Sequence, residues 1–194
     1  MTTYSKTRSA NHARTLKLVH ISMFSALMAI GANLTSFLII GGVPITLQTF
    51  FAILAGLLLG SKLGAASMVV YAFIGLAGVP VFAKFSGGMD TIISPTFGFI
   101  VSFILLAYVV GLIAEKFPTR KGFVAAALAG LAINYLFGTN WMYAAYKLWF
   151  AAPEGFTYMM AWAWMVPPLP KDLILAVLAG FFGFRLKPII RKYM

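Results

Sequence analysis

Few side chains in this sequence could do chemistry, and where they fall is informative. The 194 residues include four acids (Asp90, Glu115, Glu154 and Asp172), two histidines (His12 and His20, both towards the basic N-terminal end) and no cysteine. Without cysteine there is no disulfide framework and no thiolate metal site. With both imidazoles at one end, histidine catalysis within the apolar body is disfavoured. Glu115 adjoins Lys116 and reads as a solvated neighbour of that charge. Asp172 follows Pro167, Pro168 and Pro170 at the start of an apolar run. A carboxylate there can cap free amides and gain from the helix dipole. An ionisable group near membrane depth equally marks a substrate site. Both readings stand at this level.

Neutral polar groups gather in two connections. One reads Gly41-Gly42-Val43-Pro44-Ile45-Thr46-Leu47-Gln48-Thr49. The other runs from Gly78-Val79-Pro80 through Lys84-Phe85-Ser86-Gly87-Gly88 to Ser94-Pro95-Thr96-Phe97-Gly98-Phe99. Proline and glycine interrupt helix here and leave backbone amides and carbonyls unpaired. In a membrane that is tolerated where the backbone is buried in protein or lines a cavity; plain loop punctuation is the alternative. Thr46, Gln48, Ser86, Ser94 and Thr96 add donors and acceptors. A phosphate loop is missing: Gly56-Leu57-Leu58-Leu59-Gly60-Ser61-Lys62 has neither the spacing nor the order that cradles a nucleotide. No acid pair falls within a helix, which argues against a proton relay.

The elements that must position these groups are apolar. Hydrophobic residues make up 61% of the chain and charged residues 10%, against about 25% charged in a soluble domain. So short a chain cannot bury that much apolar surface in one aqueous core, and lipid must solvate part of it. Six segments stand out: about 18–40, 47–60, 63–79, 97–114, 122–137 and 169–186. Between the last two, the aromatic stretch Trp141 to Trp164 is expected to lie partly at the lipid surface. Twelve of the fifteen Lys and Arg fall on one side of this pattern: Lys6, Arg8, Arg14, Lys17, Lys62, Lys116, Arg120, Lys121, Arg185, Lys187, Arg191 and Lys192. Only Lys84, Lys147 and Lys171 fall on the other. The positive-inside rule then places both termini in the cytoplasm, which also accounts for the net charge of +11 without nucleic acid. The expectation is an all-α integral membrane protein of about six transmembrane helices. Residues 1–17 form a basic cytoplasmic arm, polar and without fixed structure, and 18–194 a single membrane domain. No cleavable signal is evident, because the first apolar segment is long and lacks a cleavage pattern.

Small residues recur at helical spacing, as Ser22/Ala26, Ser25/Ala29 and Gly56/Gly60/Gly64. Such residues let helices approach closely in lipid, either within the chain or against another membrane subunit.

Gly42-Val43-Pro44-Ile45-Thr46-Leu47-Gln48-Thr49-Phe50 resembles the signature of the BioY family, the biotin-specific substrate-binding subunits of energy-coupling-factor transporters. Similar matches follow in order: Leu57-Leu58-Leu59-Gly60, Gly75-Leu76-Ala77-Gly78-Val79-Pro80-Val81-Phe82, Gly87-Gly88, Ser94-Pro95-Thr96-Phe97-Gly98-Phe99, Tyr135 with Gly138 and Trp141, and Asp172. The resemblance runs from about Val43 to Ala179. The chain departs from the usual pattern at Phe97, Phe99 and Leu175; at the last the family often has a lysine, and here Lys171 lies beside Asp172 instead.

The resemblance implies a six-helix subunit, not an enzyme, that captures biotin from the outer side in the cell membrane. A membrane coupling protein and two cytoplasmic ATPases would supply the energy. It also implies that Ser22, Ser25, Ala26 and Ala29 contact the coupling protein. Biotin's ureido N–H groups and carbonyl suit Asp172 and neutral groups such as Gln48 or Ser94. Its sulfur-containing ring suits aromatic walls such as Phe85, Phe97 and Trp141, and its carboxylate needs a cation, Lys84, Lys147 or Lys171. The expected ligand site is therefore Thr46, Gln48, Lys84, Phe85, Gly87, Gly88, Ser94, Thr96, Tyr135, Trp141, Lys171 and Asp172, with no metal, cofactor or catalytic residue. The competing readings are a binding subunit for another small vitamin, a membrane-embedded enzyme and a purely structural subunit.

Overall fold

The structure, a computed structural model, describes residues 2–36, 39–40 and 43–192, with side chains omitted for 2–13, 40 and 191. Gly41 and Gly42, expected in the first outer connection, lie outside the described residues.

Among the described residues, seven α-helices make up most of the chain: α1 (Thr2–Asn33), α2 (Gln48–Leu59), α3 (Ser61–Leu76), α4 (Phe97–Lys116), α5 (Arg120–Leu148), α6 (Tyr158–Ala163) and α7 (Leu169–Arg191). Four are long and apolar enough to cross a membrane, over Arg14–Asn33, Phe97–Lys116, Arg120–Leu148 and Leu169–Ile190. α2 and α3 are shorter apolar helices. Each of the six expected segments matches one of these helices; α6 is an addition.

Three expectations need correction. The basic arm, expected to lack structure, is described as helix from Thr2 and runs into the first span. That span stops at Asn33 rather than near Ile40. There Ser36 donates to Asn33 O (3.3 Å) and Thr35 Oγ1 to Ile45 O (2.8 Å), and side-chain-to-backbone bonds of this kind compete with helix. β1 (Ile39–Ile40) then pairs antiparallel with β2 (Val43–Pro44). Finally, the fifth helix continues eleven residues past Phe137, to Leu148. Its sequence becomes polar and aromatic there but has no proline, and the single Gly138 is tolerated within the helix, so falling hydropathy does not mark the end of the helix. At 29 residues it is about 44 Å long, against about 30 Å of hydrocarbon. Its last turns carry Trp141, Tyr143 and Tyr146, residue types enriched where helices leave the hydrocarbon.

α2 and α3 fold back on each other at Gly60, whose φ of 88° is a conformation other residues resist. A methyl group on Gly64 would lie 2.9 Å from the Gly56 Cα, so the small-residue spacing here serves packing within the chain. α4 and α7 hold this turn. Glu115 Oε1 accepts from the Ser61 N–H (2.8 Å) and hydroxyl (3.2 Å), which gives the exposed Glu115 a capping role on α3 beyond that of a neighbour of Lys116. Lys187 Nζ donates to Leu58 O at the end of α2 (3.1 Å). α2 lies at the centre of the bundle, packed on α1, α3, α4, α5 and α7, with its sequence buried almost all round.

Candidate functional site

At the end of the bundle away from Gly60, the N-terminal turns of α2, α4 and α7 converge with the outer loops and the C-terminal half of α5. They enclose a cavity of about 370 Å³, within the roughly 300–1,000 Å³ of small-molecule sites.

Asp172 is its charged centre. Pro168 and Pro170 start α7, whose N-terminus has no side-chain cap, and among the described residues the Asp172 carboxylate makes no bond to the backbone of its own helix. It turns towards α5, where the Tyr135 hydroxyl donates to Oδ2 (2.7 Å), and Lys171 Nζ pairs with Oδ1 (2.8 Å). Lys171 also donates to Thr46 O, tying the first outer loop to α7. Asp172 is 7% exposed. A charge so buried needs a partner. With the Lys171 pair and the Tyr135 bond made, its carboxylate oxygens keep lone pairs for an incoming N–H donor.

Two neutral networks flank this centre. Gln48 Nε2 donates to the Tyr71 hydroxyl (2.9 Å), which donates to Val81 O (3.1 Å). Ser102 donates to Asn134 Oδ1 (2.7 Å), and Asn134 Nδ2 donates to Thr49 Oγ1 (3.2 Å). Phe82, Phe99, Ile100, Phe103, Tyr146 and Phe150 supply the apolar wall.

The loop between α3 and α4 closes one side. Phe82 is buried against Gly75, with its ring edge-on to Tyr71 at 5.5 Å. The N–H of Gly88 bonds Gly75 O (2.8 Å), and Asn33 Oδ1 accepts from the Phe85 N–H (2.7 Å). Lys84 (φ 62°) and Phe85 (φ 54°) take left-handed backbone conformations, which are strained in residues other than glycine. Lys84 lines the cavity from an exposed position, and among the described residues its ammonium has no polar partner.

Eight of the twelve expected ligand residues line the cavity: Thr46, Gln48, Lys84, Ser94, Thr96, Tyr135, Lys171 and Asp172. Four do not. Phe85 is 59% exposed. Gly87 and Gly88 secure the loop; a methyl group on Gly87 would strike Val79 O at 2.3 Å. Trp141 supports the wall from behind, with its ring 6.0 Å from that of Phe97 and its indole N–H on Ser94 O (3.3 Å). The aromatic wall is thus built by other rings than Phe85, Phe97 and Trp141. Lys147 is not part of the cavity and sits over the Tyr143 ring.

Asn134, Thr49 and Phe103 are lining residues that reading the sequence for charge overlooks. The available signal for Asn134 was a primary amide in the midst of an apolar segment, where an unpaired polar group is costly.

The four small residues of α1 divide. Ser25 is buried and donates to Ser67 O of α3 (2.8 Å), and Ala29 is half-buried against the core. Ser22 and Ala26 are exposed.

The family model for the BioY family matches residues 4–192. BioYB of Bacillus subtilis is 48% identical over 168 residues, covering 84% of this chain and 83% of that one. The biotin transporter BioY of Thermotoga maritima is 36% identical over 174 residues, covering 89% and 96%. In fold, the chain is similar to the crystal structure of the S-component for biotin from an ECF-type ABC transporter, with a TM-score of 0.75, 21% identity, and 97% of this chain and 95% of that one covered.

Proposed function

The chain belongs to the BioY family, a family of transport proteins rather than enzymes, and we propose on that premise that its cavity captures biotin from outside the cell. It is a multi-pass membrane protein. The observation that carries the reading is the Asp172 carboxylate, buried, balanced by Lys171, held by Tyr135 and facing an aromatic-walled space. A ureido N–H donates to Asp172, the fused rings lie against Phe99 and Phe103, and the valerate carboxylate reaches Lys84 at the mouth. Lys171 is already committed to Asp172 and Thr46, which leaves Lys84 as the lining cation for the substrate. The cavity lies opposite the basic connections, and so faces outward under the positive-inside rule.

A membrane coupling subunit and two cytoplasmic ATPases complete the transporter in this reading, since the chain has no phosphate loop of its own. The exposed Ser22/Ala26 side of α1 is the docking face.

Calorimetry on the detergent-solubilised chain alone should show saturable biotin binding. Binding that appears only after ATPases and nucleotide are added would overturn the reading. Ala26→Trp should keep that binding and lose co-purification with coupling proteins; retained co-purification would remove the docking face.

A further inference from the structure

We propose that Tyr71, which does not line the cavity, is a positioning residue that sets the polarity of recognition by holding the Gln48 amide with its carbonyl oxygen towards the ligand. The inference rests on the biotin reading of the cavity.

The Val81 carbonyl can only accept. The Tyr71 hydroxyl has one proton, and at 3.1 Å from Val81 O that proton is committed there. Towards Gln48 the hydroxyl then has only lone pairs, so the amide must present its N–H, at 2.9 Å. A primary amide exposes donor at one end and acceptor at the other. With Nε2 turned to Tyr71, Oε1 is the free end. Among the described residues Oε1 has no donor, and among them the one sealed, unpartnered side-chain polar atom is Thr139 Oγ1. Gln48 Oε1 is therefore open, and Gln48 lines the cavity. Tyr71 is 1% exposed, with Phe82 edge-on to its ring, so the relay has little room to rearrange. Turning the amide over would set Oε1 against the lone pairs of Tyr71, or force the hydroxyl to leave Val81 O. Either way a hydrogen bond is lost.

At Gln48 the site therefore accepts, matching a ring N–H and rejecting a ring oxygen in its place. The probes are biotin and its two cyclic carbamate analogues, each with one ureido N–H replaced by O. Of the two carbamates, the one whose ring oxygen falls at Gln48 should bind the wild-type chain about tenfold more weakly than biotin, while the other reports the loss at Asp172. Tyr71→Phe should reduce that ratio to about two- or threefold, because the freed amide can turn and donate to the ring oxygen. In a Gln48→Glu background, where both ends of the side chain accept, adding Tyr71→Phe should leave the ratio unchanged; this pair also decides the matter if the single variant folds poorly. Equal weakening of all three ligands by Tyr71→Phe, or an unchanged ratio, would overturn the proposal while leaving biotin capture intact. Failure of the wild-type chain to bind biotin would overturn the functional reading, and this inference with it.

Discussion

The two ends of the bundle use similar residues to different effect. At the Gly60 end, Glu115 and Lys187 each reach across to another helix and bond the α2–α3 turn. Their partners are the free N–H and C=O groups that helix ends leave behind. At the other end, Asp172, Gln48 and Asn134 are also paired, yet they keep unused donors or acceptors around an open space. A pairing that ends on backbone fixes a fold, whereas one that leaves bonding capacity beside a void can bind a ligand. The contrast predicts that substitutions at the cavity end change affinity and those at the Gly60 end change stability.

Asp172→Asn should have the largest effect. It removes the acceptor charge for a ureido N–H and the counterion of Lys171. A charged hydrogen bond is worth about 1.5–3 kcal/mol, so biotin affinity should fall roughly 10- to 150-fold in calorimetry, with the purified protein still monodisperse. Unchanged affinity would return Asp172 to a structural role and blur the contrast. Lys84→Met should weaken biotin less. An exposed ion pair contributes up to about 1 kcal/mol, or roughly fivefold. The difference should shrink at high salt and vanish for biotin amide, whose tail is neutral; an equal loss for biotin and its amide would remove Lys84 from carboxylate recognition. At the opposite end, Glu115→Ala should leave biotin affinity unchanged. Loss of one cap, about 1 kcal/mol, should lower the melting midpoint by about 2–4 °C. A change in affinity without a change in melting would show that the two ends are coupled.

How far the sequence leads differs between fold and site. The six apolar segments and the asymmetry of basic residues follow from residue type and order alone, because transfer to lipid depends on the local run of residue types and on little else. The end of α5 does not follow, because hydropathy reports what surrounds a helix, not whether it continues. In the site, charged and loop-borne residues could be picked out individually, since each is conspicuous in an apolar chain. Their division of labour could not.

What residue type and order decide for this protein is its solvent, its all-helical class and the small set of polar groups worth considering. Only the tertiary structure decides that Lys171 serves Asp172 while Lys84 remains open, that Ser25 packs inward while Ala26 faces out, and that Phe99 and Phe103 line the wall in place of Phe85 and Trp141. These are questions of direction, between residues as much as 125 positions apart, such as Thr46 and Lys171. The linear order of residues says which groups exist. Hydrogen bonds act over about 3 Å, and only the packed bundle shows which groups come within that distance.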